Sequence, residues 1–284
     1  MKRYRNRLAF IVLVLIAAAA VYRYFSGHDL KRDITYAKVG KRELKLDIYI
    51  PRYRNGKLPV AVNLHGGGWC AGSKLAVPFK KLLLKNFIVF SPEYRLAPKD
   101  LFPAQLDDVC SALKWIDENA TGYGADNSRI LIYGGSAGGH LALLAGLKCP
   151  ENIRRKIKTI GAFGAPTDLV NFIRDTEKDP FDNVFKNAGN NHPIKLLLGC
   201  HAQECPEKAL AASPINAIDS SSKEIPAIFL AHGTADHVVP FAQAENFADV
   251  AQKTGHQLIF YPVKDGQHIN FDLDCVKAMI NLFN

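Results

Sequence analysis

The chain has 284 residues, enough for one large α/β domain or two small ones, and 48% of them are apolar, so a substantial core can form. Its formal net charge of +9 is concentrated at one end: residues 1–32 hold seven Lys/Arg against one Asp, or +6, which leaves +3 for the rest. A nearly balanced body excludes a broad basic face for nucleic acid, and the lack of repeats excludes a solenoid.

Lys2, Arg3, Arg5 and Arg7 precede an unbroken apolar run from Leu8 to Val21. At 1.5 Å per residue this run spans roughly 21 Å as a helix, short of the ~30 Å hydrocarbon core. It suits a signal peptide, with Ala18-Ala19-Ala20 as the cleavage site. Extended through Tyr22, Arg23, Tyr24 and Phe25, it becomes a single N-terminal membrane anchor instead. Residues 1–25 are therefore read as signal peptide or anchor, and residues 26–284 as one domain. Both versions place the body outside the cytoplasm, periplasmic or otherwise extracytoplasmic. Six cysteines, an even number, fit export. Cys200 and Cys205 are expected to close a small disulfide loop. Cys110 and Cys149 fall on expected helices and read as buried free thiols. Cys70 and Cys275 stay unassigned, and the spacings do not match a zinc site.

Residues 22–32 read as a polar linker. Leu44, Leu46, Ile48 and Ile50 then alternate with polar residues, the period of a half-buried strand, and Pro51 ends it. Short apolar runs follow at Val60–Leu64, Phe87–Phe90, Ile130–Tyr133, Ile160–Phe163, Ala227–Ala231 and Leu258–Tyr261. Runs without alternation suit strands covered on both faces. Between them, Ala104–Asn119 puts Leu106, Val109, Leu113 and Ile116 on one helical face, and Phe241–Thr254 and Asp272–Phe283 are also amphipathic. This alternation predicts an α/β fold: a mostly parallel central sheet with helices on both faces. Residues 167–213 break the rhythm and read as a short cap insertion above the sheet.

The chemistry-bearing stretches fall at strand ends. Tyr133-Gly134-Gly135-Ser136-Ala137-Gly138 runs from a strand into a helix-forming segment, the layout of a nucleophile elbow. His65-Gly66-Gly67-Gly68-Trp69 follows the strand Val60–Leu64 and lets backbone N–H groups approach a ligand closely. His232-Gly233-Thr234-Ala235-Asp236 and Gly266-Gln267-His268 follow two later strands. The order Ser136, Asp236, His268 is nucleophile, acid, base. Asp265 and Asp274 are rival acids, more readily surface charges. Among rival bases, His140 is too close to the serine along the same helix start, and His232 reads as structural.

With these motifs, and with EYRLAP at Glu93–Pro98, FPAQLDD at Phe102–Asp108 and SPI at Ser213–Ile215, the chain resembles the α/β-hydrolase esterases of the hormone-sensitive-lipase group. It is most similar to the small carboxylesterase branch, which includes arylformamidase-like and feruloyl-esterase-like members. The resemblance implies Ser136 as nucleophile, His268 as general base and Asp236 as its orienter. It also implies oxyanion donors from the N–H groups of Gly67, Gly68 and Ala137, a small-molecule ester substrate, and no metal or organic cofactor. Glu93 and Lys99 depart from the lipase-like form of the tyrosine motif, and there is no room for a long N-terminal cap. Arg95 with Asp107 and Asp108 is expected to anchor a loop over a helix. The expected activity is that of a serine carboxylesterase on short acyl esters. Alternatives are an amidase or formamidase with the same triad, a lipid-directed esterase at a membrane surface, and a non-catalytic scaffold. For the acyl arm, Leu169, Val170, Phe172, Ile173, Leu196, Leu197 and Leu198 are expected to line a shallow groove.

Overall fold

A computed structural model describes residues 27–178, 184, 188–218 and 225–284. The expected signal peptide or anchor, residues 1–25, lies outside the described residues. Eight strands form one sheet: β1 (His28–Val39), β2 (Arg42–Pro51), β3 (Leu58–Leu64), β4 (Ile88–Pro92), β5 (Ala125–Gly135), β6 (Ile157–Phe163), β7 (Ala227–Gly233) and β8 (Leu258–Val263). Their order is β1-β2-β4-β3-β5-β6-β7-β8. β2 runs antiparallel to β1 and β4, and every pairing from β4 through β8 is parallel.

The central strands are buried along their length because both faces are covered. Leu106, Val109, Leu113 and Ile116 of the helix Ala104–Asn119 enter one core with the helix Ala137–Lys148. On the opposite face, Val276, Met279, Ile280 and Phe283 of the helix Leu273–Phe283 pack with Phe87, Phe163 and Phe229. Full burial of one such side chain contributes about 1.5–3 kcal/mol. The contact with the sheet is close: a Cβ at Gly161 would lie 2.2 Å from Met279 Sδ, so the Met279 side chain would have to shift.

Three expectations need correction. Residues 28–32 belong to strand β1 and are not part of a linker. An edge strand needs pairing on one side only and tolerates charge, so Asp29, Lys31 and Arg32 mask its pattern. The buried Lys74 ties this edge down through Asp33 at 3.0 Å and Asp47 at 2.9 Å. β8, read as covered on both faces, is the other edge and is half-exposed. Finally, Cys110 and Cys149 are not free thiols; they form a disulfide joining the helix Ala104–Asn119 to the end of the helix Ala137–Lys148. Each helix's periodicity reports its own buried face and carries no information about which neighbour lies against it. The expected Cys200–Cys205 disulfide is present, and Cys70 and Cys275 are free.

Candidate active site

The site forms where the carboxyl ends of the parallel strands meet their loops, the usual place for ligands in open α/β sheets. β5 ends at Gly135 and the helix Ala137–Lys148 begins at once, with Ser136 at the junction at φ 55°, ψ −125°. Such a backbone costs a non-glycine residue about 1–3 kcal/mol and persists only where its surroundings fix it. Two glycines make the junction possible. A Cβ at Gly134 would lie 2.5 Å from the Gly138 carbonyl carbon, and one at Gly138 would lie 2.1 Å from the Leu64 oxygen. The Ser136 amide donates to the Phe163 carbonyl at 2.7 Å, which pins the turn to β6.

The loop after β3 lies beside this turn. Gly67 has φ 113°, and a Cβ there would meet the Ala71 carbonyl oxygen at 2.3 Å. The amides of Cys70 and Ala71 both donate to the Gly67 oxygen, folding the loop back on itself. Among the described residues, the Gly67 and Gly68 amides donate to no backbone carbonyl. The Ala137 amide lies in the first turn of its helix, where N–H groups have no intrahelical partner. Of the three amides that the resemblance implies as oxyanion donors, Gly67 and Gly68 belong to residues lining the cavity that holds Ser136, whereas Ala137 is buried.

Buried aromatic and polar side chains brace this loop. His65 stacks on Tyr94 with ring centroids 4.1 Å apart, and the Tyr94 hydroxyl donates to the His65 carbonyl at 2.8 Å. Trp69 Nε1 donates to His140 Nδ1 at 3.1 Å, so His140 Nε2–H donates to the Ala212 carbonyl at 2.7 Å. Burial pushes the His140 pKa down to about 4, which keeps the ring neutral. His140 therefore joins the glycine loop, the elbow helix and the insertion, and it is not a rival base. Arg95 forms a bidentate pair with the buried Asp108 and anchors its loop to the helix Ala104–Asn119, whereas Asp107 is exposed.

Asp236 and His268, 32 residues apart, are brought together: His268 Nδ1 lies 2.8 Å from Asp236 Oδ2. Asp236 Oδ1 accepts from the amides of Val238 and Val239 at 2.8 and 2.9 Å. Burial pushes the Asp236 carboxyl pKa up, but hydrogen bonds from His232 and His268, with their positive charge when protonated, outweigh it. The net result lies well below the usual carboxylate range. His232, read as structural, has its Nε2 2.9 Å from the Val239 oxygen and 3.3 Å from Asp236 Oδ2, and so helps fix the acid. Of the rival acids, Asp274 is an exposed partner of Lys277, and the exposed Asp265 donates its amide to Thr234 Oγ1.

Ser136, His268, Gly67 and Gly68 line a single cavity of about 450 Å³. Ser136 Oγ makes no hydrogen bond among the described residues; serine–base contacts often tighten only when substrate is bound. The cavity wall differs in part from the expected groove. Phe172 and Leu196 line it, together with Pro193, Ile194, Val238 and Val239. Leu169, Leu197 and Leu198 instead face the main core, Val170 packs against it, and the Ile173 side chain lies outside the described residues. A run of leucines does not reveal which of them turn inward. Trp69, the last residue of the glycine-loop motif, and Cys70, which the sequence left unassigned, also line the cavity, as does Ile269, which nothing local in the sequence marks.

The family model BD-FAE matches residues 46–250. Esterase LipQ of Mycobacterium tuberculosis is 31% identical over 254 residues, covering 85% of this chain and 57% of LipQ. The probable carboxylic ester hydrolase LipM of the same organism is 32% identical over 267 residues, covering 89% and 58%. The chain thus spans a little over half the length of these two relatives. A truncated form of a carbohydrate esterase from gut microbiota superposes with a TM-score of 0.76 at 26% identity, covering 90% of this chain and 95% of that one. The fold is the α/β-hydrolase fold.

Proposed function

The chain belongs to the BD-FAE family of α/β-hydrolase esterases, and from that membership we propose that it is a serine carboxylesterase acting on short-chain acyl esters. The observation that carries this reading is the grouping of Ser136, the Asp236–His268 pair and the free amides of Gly67 and Gly68 around one cavity. Similar proteins named esterase or carboxylic ester hydrolase support it.

In the proposed mechanism, Ser136 Oγ attacks the ester carbonyl carbon while His268 Nε2 takes its proton. Nε2 is free to act as base because Nδ1–H is held by Asp236 Oδ2. Asp236, ionised and fixed by two backbone amides, stabilises the imidazolium that forms. The oxyanion accepts hydrogen bonds from the amides of Gly67, Gly68 and Ala137, each such donor lowering the barrier by about 3–4 kcal/mol in comparable sites. His268 then protonates the leaving alcohol, and the acyl-enzyme is hydrolysed by a water whose proton His268 accepts.

The wall of the cavity motivates the preference for short acyl groups. Each additional methylene contributes about 0.8 kcal/mol only while apolar wall remains to cover it. Leu169, Leu197 and Leu198 are not part of that wall, whose apolar cover comes from Phe172, Pro193, Ile194, Leu196, Val238 and Val239. The test is kcat/KM against soluble esters of graded acyl length, with Ser136→Ala as control. Specificity should peak between acetyl and about six carbons, and Ser136→Ala should abolish turnover. A climb through ten or more carbons would overturn the short-chain reading, and activity surviving in Ser136→Ala would overturn the esterase reading.

Export is proposed as well. Two disulfides among the described residues suit an oxidising compartment, and the basic–apolar N-terminus suits delivery there. Detection of residues 26–284 in the cytoplasm alone, with reduced cysteines, would refute it.

A further inference from the structure

A second apolar cavity of about 400 Å³ lies against the first, and its walls include Val77, Phe79, Tyr133, Phe163 and Phe271. Three chain segments pass from one cavity to the other. His65 and Gly66 line the second while Gly67 and Gly68 line the first; Gly135 lines the second and Ser136 the first; Phe271 lines the second and His268 the first. Among the described residues, Ile269 is the single one that lines both.

Nothing in the triad accounts for the form of Ile269. It is 48% exposed, so it contributes little to a core. Its φ is 50°, a left-handed backbone to which a β-branched residue is poorly suited. Yet its neighbour across the cleft is matched to it: a Cβ at Gly135 would lie 2.7 Å from Ile269 Cγ2. The elbow requires small residues at Gly134 and Gly138, not at the position between Gly134 and Ser136. Gly135 is glycine where Ile269 needs the space.

We infer that Ile269 is a specificity-determining residue, a partition that closes the second cavity to the substrate and so limits the bulk of the ester's arms. An ester has two arms diverging from its carbonyl carbon, and two cavities diverge from the region of Ser136. With the partition present, both arms share the first cavity. Without it, an apolar ring on one arm reaches the aromatic wall of Phe79, Phe163 and Phe271, in which the Phe163 ring centroid lies 5.6 Å from that of Phe79 and 5.1 Å from that of Phe271.

This inference rests on the esterase reading, and its test separates the two. The readout is the ratio of kcat/KM for a bulky ester to that for a small one, so that a general loss from displacing His268 cancels. Ethyl phenylacetate against ethyl acetate probes the acyl arm, and benzyl acetate against ethyl acetate probes the alcohol arm. Ile269→Gly, which also suits the left-handed backbone, should raise the ratio in at least one series by about tenfold or more, mainly through KM. Ile269→Asn keeps a side chain of comparable length in a residue type that tolerates this backbone, and should leave both ratios near wild type. Adding Ala76→Phe, at an exposed residue lining the second cavity, should cancel the gain. Unchanged ratios in Ile269→Gly, or a gain that survives Ala76→Phe, would overturn the partition. If Ser136→Ala abolishes turnover in those same assays, the esterase reading stands while the partition falls.

Discussion

His140 makes a prediction whose size can be worked out from the structure. The ring is fully buried, accepts from Trp69 Nε1 and donates to the Ala212 carbonyl, and burial lowers its pKa to about 4. In the unfolded chain it titrates near 6.5. Between those values the unfolded state binds the extra proton, so stability is lost as pH falls. The contribution is fully present above about 6.5 and gone below about 4. A shift of roughly 2.5 units at 1.36 kcal/mol each gives about 3 kcal/mol. His140→Gln can keep both hydrogen bonds, through its amide oxygen and its NH₂ group, but does not titrate. Urea unfolding at a series of pH values from 7 to 4 should show wild type losing about 3 kcal/mol more than the variant across that range. Other titrating groups are common to both proteins and cancel. Parallel stability curves would refute the argument that His140 is held neutral by burial.

Asp236→Asn should keep the fold, because an amide oxygen can still accept from Val238 and Val239. Its NH₂ would face His268 Nδ1 and force the other tautomer, so kcat should fall by about 10⁴-fold; a loss under tenfold in stopped-flow assays would contradict the assigned role. The Cys110–Cys149 disulfide spans 39 residues and Cys200–Cys205 spans 5. On chain entropy alone their removal should cost about 4 and about 2 kcal/mol respectively. Chemical denaturation of Cys110→Ala and Cys200→Ala checks this, and an equal or reversed ranking would count against it.

The helix Ala104–Asn119 was legible from its apolar periodicity and the six strand runs from their unbroken apolar character, because burial leaves both marks in the chain itself. The elbow was legible for a different reason: Gly134 and Gly138 each lie where a side chain would strike backbone, and such constraints must be met locally. What the sequence did not disclose depends on residues that are distant along the chain. Cys110 meets Cys149 only because two helices pack side by side. That Leu196 lines the cavity while Leu197 packs into the core follows from how the insertion lies on the sheet. Strand β1 was obscured because an edge strand can carry charge, and the fit of Ile269 to Gly135 joins two loops that share no motif.

If Ser136 is the nucleophile of a working triad, an activated-serine trap should label it. An alkyl fluorophosphonate transfers its phosphonyl group to an activated serine with loss of fluoride, leaving a stable adduct. Intact-mass analysis should find one adduct per chain, and peptide mapping should place it on Ser136. Labelling should be absent in Ser136→Ala and strongly slowed in Asp236→Asn. An unlabelled wild-type chain, or an adduct on another residue that persists in Ser136→Ala, would show that Ser136 is not an activated nucleophile.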